Sequence, residues 1–123
     1  TMPHKQAVIP FLDRLDAHFA EFGTFRGVMT YNRVRVRRDL ARDDFAAAAR
    51  HIRTGFRFAK AVGEGPSVVQ LLVGTALGHT ACGDVGRFIG RAGSPNLYAA
   101  LADLPRPLID PRVALDHEAT LLD

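Results

Sequence analysis

Apolar residues recur three and four positions apart along most of this chain, which is the spacing of one face of a helix. Residues 5 to 22 place Val8, Phe11, Leu12, Leu15, Phe19 and Phe22 on one stripe, and the pattern predicts a helix ending at Gly23 with a turn after it. Residues 25 to 40 carry two patterns at once. Arg33-Val34-Arg35-Val36-Arg37 alternates like a half-buried strand, whereas Phe25, Met29, Val36 and Leu40 share a helical face. A strand needs a partner and the chain offers no second alternating segment, so helix is the expectation.

The clearest signal lies between residues 44 and 62, where Phe45, Ala48, Ala49, Ile52, Phe56, Ala59 and Val62 keep helical spacing. Asp43 is the expected cap at its start and Gly63 the expected end. Gly63-Glu64-Gly65-Pro66 reads as a turn, and Ser67 with Gln70 has the spacing of a capping box. The helix that starts there is apolar nearly all round (Val68, Val69, Leu71, Leu72, Val73, Ala76, Leu77), which predicts a central helix buried on several sides. Gly74 and Gly78 strip side chains from one strip of it, so a neighbouring helix is expected to approach closely there. Around Cys82-Gly83 the pattern allows either one continuous helix or two.

Gly93-Ser94-Pro95 supplies a stop, a cap and a first-turn proline for a short helix from Asn96 to Leu104. Pro105 and Pro107 end it, and Asp110-Pro111 starts a last helix that carries Val113, Leu115, Ala119 and Leu122. The expectation is therefore an all-α fold of five or six antiparallel helices in one domain spanning residues 1–123. It contains a hairpin over 26–62, core helices over 66–104 and a proline-rich turn with a terminal helix over 105–123.

At 123 residues, 47% hydrophobic and 24% charged, the chain has an ordinary globular composition. Its one cysteine, Cys82, cannot form an internal disulfide and leaves the compartment open. The longest apolar run, residues 68 to 77, is interrupted by Gln70 and falls far short of the roughly 20 residues that cross a bilayer. Nothing near Thr1 resembles a signal peptide, and a chain beginning there can be an excerpt.

Charge changes the picture more than composition does. The net charge is +3, but residues 33 to 60 hold nine Lys or Arg against Asp39, Asp43 and Asp44, giving +6 and leaving −3 for the remainder. Arg50, Arg53, Arg57 and Lys60 recur at helical spacing opposite the apolar face of their helix, so they are expected to form one basic stripe toward solvent or a partner.

The pair of segments 26 to 62 resembles a tetratricopeptide repeat, with two antiparallel helices joined at Arg42-Asp43-Asp44. Phe45, Ala48, Ile52, Gly55 and Phe56 match that family's pattern in the second helix. In the first helix Asn32, Val36 and Asp39 depart from it, as does Lys60 at a position where proline is common. Gly63-Glu64-Gly65-Pro66-Ser67, Gly93-Ser94-Pro95-Asn96-Leu97-Tyr98 and Leu104-Pro105-Arg106-Pro107-Leu108-Ile109-Asp110 resemble an uncharacterised bacterial family of helical, repeat-like proteins. Both resemblances imply an α-solenoid fragment or a compact bundle; neither implies an activity.

These observations favour a protein-interaction or scaffold module without catalysis, cofactor or metal. It would present Arg35, Arg38, Arg50, Arg53, Arg57 and Lys60 to an acidic protein or peptide segment, or stack on neighbouring helical repeats of its own chain. Nucleic acid is the competing partner for the same arginines, although no aromatic residues are interleaved with them for base stacking. His79, Cys82 and Asp84 are the one cluster with ligand or thiol chemistry, and two ligands do not make a metal site. Gly83, Gly86, Gly90 and Gly93 do not follow a strand, as a phosphate-binding fingerprint requires. Asp43 and Asp44 fit helix capping better than an acid-base couple.

Overall fold

The computed structural model describes the backbone of residues 3–122 and the side chains of residues 21–120. Among the described residues five helices pack against one another, in the order α1 (Pro3–Ala41), α2 (Phe45–Gly63), α3 (Val68–Gly90), α4 (Tyr98–Leu101) and α5 (Arg112–Leu122). No strand occurs among the described residues. The alternating segment at 33–37 is helical, and its valines take opposite environments: Val36 is fully buried while Val34 is exposed.

The turn expected after Gly23 does not form. α1 runs through it for 39 residues. Glycine inside a helix costs only about 1 kcal/mol, and Gly23 does not take the left-handed conformation that ends a helix; Gly93 is the glycine that does, with φ +83°. The short helix expected over 96–104 shrinks to the single turn α4, with Asn96 accepting a hydrogen bond from the Tyr98 backbone N–H at 2.8 Å. α3 is one continuous helix of 23 residues.

Capping holds at two helices and shifts by one residue at a third. Ser67 Oγ accepts from the Gln70 N–H at 3.1 Å, and Asp110 Oδ1 accepts from the Arg112 N–H at 3.0 Å. For α2 the cap is Asp44, which accepts from the Ala47 N–H at 3.1 Å, not Asp43. Asp43 instead turns the chain with φ +55° and pairs with Arg91; its short polar side chain tolerates that left-handed conformation.

α2 is the helix against which most of the molecule packs, contacting α1, α3 and α4. One apolar cluster joins Val36, Leu40, Ala48, Ile52, Phe88 and Leu97, and a second joins Met29, Ala59, Val62, Leu77 and Ala81. Phe56 touches both. Each large side chain fully withdrawn from water contributes roughly 1.5–3 kcal/mol. α2 and α3 meet closely at Gly74, where an added Cβ would lie 2.2 Å from the Gly63 Cα. The matching expectation at Gly78 fails, since a Cβ there would meet nothing within 4 Å. α3 is central but less enclosed than its composition suggests: Leu72 is 64% and Ile89 66% exposed.

Candidate functional site

The arginines and the lysine singled out by spacing divide into two groups. On α2, Arg53 and Lys60 are engaged within the chain. Arg53 is paired with Asp103, and Lys60 Nζ donates to Glu64 Oε2 at 2.6 Å and to the Leu108 carbonyl at 3.1 Å. Glu64 also accepts from the Asp110 N–H at 3.3 Å, so this end of the stripe fastens the segment between α4 and α5 onto α2. Arg50 and Arg57 are exposed, and among the described residues neither side chain has an ion-pair or hydrogen-bond partner. On α1, Arg38 reaches Asp39 at 3.7 Å, and the half-buried Arg35 holds its guanidinium 5.5 Å from the ring centre of the exposed Tyr31.

Beneath these arginines the hairpin buries polar groups. Asn32 and Asp39 lie on the α2 side of α1, where Asn32 Nδ2 donates to the His51 carbonyl at 2.9 Å and Asp39 Oδ2 lies 2.5 Å from His51 Nδ1. Gly55 makes room for the Asn32 amide, which would lie 3.0 Å from a Cβ at that position. Each buried group is therefore satisfied, which is the condition for burying it without a large penalty. The departures of Asn32 and Asp39 from the repeat pattern thus have a structural use in orienting α1 on α2.

No protein-family model, curated protein or solved structure matches this chain.

His79 and Cys82 are both exposed on α3 and line an open cleft of about 360 Å³ with Phe56, Leu108 and Ile109. Asp84 does not join them. Five residues after His79 it points away, into the body of the molecule, and its side chain is 1% exposed. Among the described residues no three His, Cys, Asp or Glu side chains gather where a metal ion would need them. A larger open cleft, about 610 Å³, lies between the end of α3 and α4 and is lined by Val85, Ile89, Leu97, Tyr98, Leu101 and Arg106, among others.

Sequence spacing missed what surrounds Asp84. Arg87 Nη1 donates to Asp84 Oδ1 at 3.3 Å, while Oδ2 is buried with no hydrogen-bond partner. Burial pushes the Asp84 carboxyl above its ordinary value of 3.8, an effect only partly offset by Arg33, Arg87 and Arg37. A raised folded-state value means that Asp84 favours folding most below 3.8, and that this contribution is lost as pH rises through the raised value. Asp84→Asn removes the ionisable group and keeps the shape. The stability of wild type relative to D84N is therefore expected to rise as pH falls from 7 toward 4, by urea denaturation at each pH. A pH-independent difference would show that Asp84 is not desolvated in solution.

Proposed function

We propose that the chain is a non-enzymatic interaction module that engages an acidic peptide or protein segment through arginines on the outer faces of α1 and α2. The observation that carries this reading is the pair Arg50 and Arg57, exposed two turns apart on α2 with neither guanidinium paired among the described residues. Seven helical residues advance about 10.5 Å, close to the roughly 9.3 Å of one three-residue turn of a polyproline II segment. Acidic side chains three apart on such a segment share a face and would therefore meet both arginines. Arg35 and Arg38 extend the set on α1, whereas Arg53 and Lys60 hold the framework.

The repeat-like reading is supported by the hairpin, with α1 and α2 joined through residues 42–44 and small residues such as Ala48 and Gly55 at their packed faces. The length of α1 departs from it, because its 39 residues exceed a whole tetratricopeptide unit of about 34.

Fluorescence anisotropy with a labelled poly-glutamate peptide and a labelled single-stranded DNA, each at two salt concentrations, tests the proposal. Charge reversal at Arg50 and Arg57 is expected to weaken peptide binding by about tenfold or more, since lost charge-assisted hydrogen bonds are worth roughly 1.5–3 kcal/mol each. Unchanged peptide binding in that variant would end this reading. Salt-dependent DNA binding without peptide binding would replace the acidic peptide by nucleic acid.

A further inference from the structure

We propose that the junction of α1 and α3 binds a phosphate-class dianion, held by Arg33, Arg37 and Arg87 above the buried carboxylate of Asp84. This site lies on the α3 side of α1, apart from Arg50 and Arg57, and does not depend on the function proposed above.

Charge is the first argument. α1 and α3 are in contact, with Val36 in one core cluster with Phe88 and Met29 in the other with Ala81, so the stretch of α1 around Arg33 and Arg37 lies along the stretch of α3 that carries Asp84 and Arg87. Three guanidiniums from two helices thus act on one carboxylate, an excess of two positive charges that matches the two negative charges of a phosphate dianion. Geometry is the second. Arg33 and Arg37 stand one turn apart on α1, where side chains are neighbours, and among the described residues neither side chain has an ion-pair or hydrogen-bond partner. Arg87 comes from the facing helix and is fixed by Asp84 at 3.3 Å. Asp84 is thus a positioning residue. It aims Arg87, and its charge lets three like charges remain close together.

Access is the third. Gly83, one turn before Arg87, is exposed, and an added Cβ there would meet only the Arg87 guanidinium at 3.9 Å. The backbone of α3 beside the Arg87 guanidinium is therefore bare at Gly83. The shape of the ligand follows from the donors. A guanidinium is a planar fork of N–H donors, and a tetrahedral oxyanion offers oxygens in several directions to forks from both helices. A planar carboxylate offers two oxygens in one plane. A phosphodiester carries a single charge and leaves one arginine uncompensated.

The intact chain is titrated at pH 7.5 with inorganic phosphate, with ionic strength held constant by sodium chloride, while thermal unfolding and the ³¹P linewidth are followed. Saturable binding is expected, with dimethyl phosphate and acetate each weaker by about tenfold or more. Glycerol 3-phosphate and O-phosphoserine, run alongside, distinguish a small metabolite from a phosphorylated protein side chain as the source of the dianion. Arg33→Gln with Arg37→Gln is expected to weaken phosphate binding by about tenfold or more, and Arg50→Gln with Arg57→Gln to leave it unchanged. Arg87→Lys keeps the charge, removes the fork and is expected to weaken binding as well, which covers the case in which the double variant does not fold. Absence of a phosphate effect beyond that of sodium chloride overturns the proposal. Acetate binding as tightly as phosphate, or full phosphate binding by R87K, does so too.

Discussion

Gly74→Ala is expected to destabilise the protein by about 3 kcal/mol or more, at the upper end of what overpacking a core costs. The added methyl would be placed 2.2 Å from the Gly63 Cα, 2.4 Å from the Gly63 N and 2.8 Å from the Ala59 carbonyl oxygen. All three are backbone atoms, so no side-chain rotation relieves the clash and α2 must move away from α3. That movement loosens the second apolar cluster, which joins Ala59 and Val62 of α2 to Leu77 and Ala81 of α3. Gly78→Ala is the internal comparison. It lies one turn further along α3 with nothing within 4 Å of its added Cβ, so it is expected to stabilise by roughly 0.5–1 kcal/mol through helix propensity and a less flexible unfolded chain. Urea denaturation of both variants, with the midpoint compared at unchanged slope, checks the pair. A Gly74→Ala protein as stable as wild type would mean that the two helices do not meet at that distance.

These two glycines also show where a sequence can be read and where it cannot. A four-residue spacing marks both as gaps on one helical strip, but only the crossing of α2 decides which gap is filled. α2 itself was legible throughout, because Ala48, Ile52, Ala59 and Val62 repeat the helical period and each is buried. The Ser67 and Asp110 caps were legible because capping is local. The position of the α2 cap was not, since two adjacent aspartates qualify and the left-handed turn at Asp43 decides between them. Gly23 misled for a related reason: a glycine is compatible with a helix end without requiring one.

The arginines follow the same logic. Their helical spacing was visible, but the partners that occupy Arg53 and Lys60, namely Asp103 and the Leu108 carbonyl, lie 50 and 48 residues further along the chain. Contacts at such separation are set by the path of the proline-rich segment, which periodicity does not encode. Asp84 could have been placed better. Five positions from His79 lie on different faces of a helix, and Asp84 shares its face with Leu77, Ala81 and Phe88, all buried. The three arginines around it come from two helices, so their convergence needed the fold.

Phe88→Ala is expected to cost about 3–5 kcal/mol, a large part of the 5–15 kcal/mol that holds a domain of this size together. Phe88 is 1% exposed and is the largest fully buried side chain among the described residues. Its ring packs edge-on to Phe45, with centroids 5.6 Å apart and planes at 73°, where α2 begins. It also belongs to the cluster containing Val36 and Leu40 of α1 and Leu97 before α4. One side chain therefore joins α1, α2, α3 and the start of the C-terminal segment, and its removal leaves a cavity that none of them can close alone. Chemical denaturation measures the loss. Limited proteolysis locates it, because Leu97 loses the ring that seats it, and cleavage between residues 91 and 97 is expected to accelerate more than cleavage within α2. A loss below about 1 kcal/mol would be too small for a ring at the centre of this core, and would place Phe88 outside it.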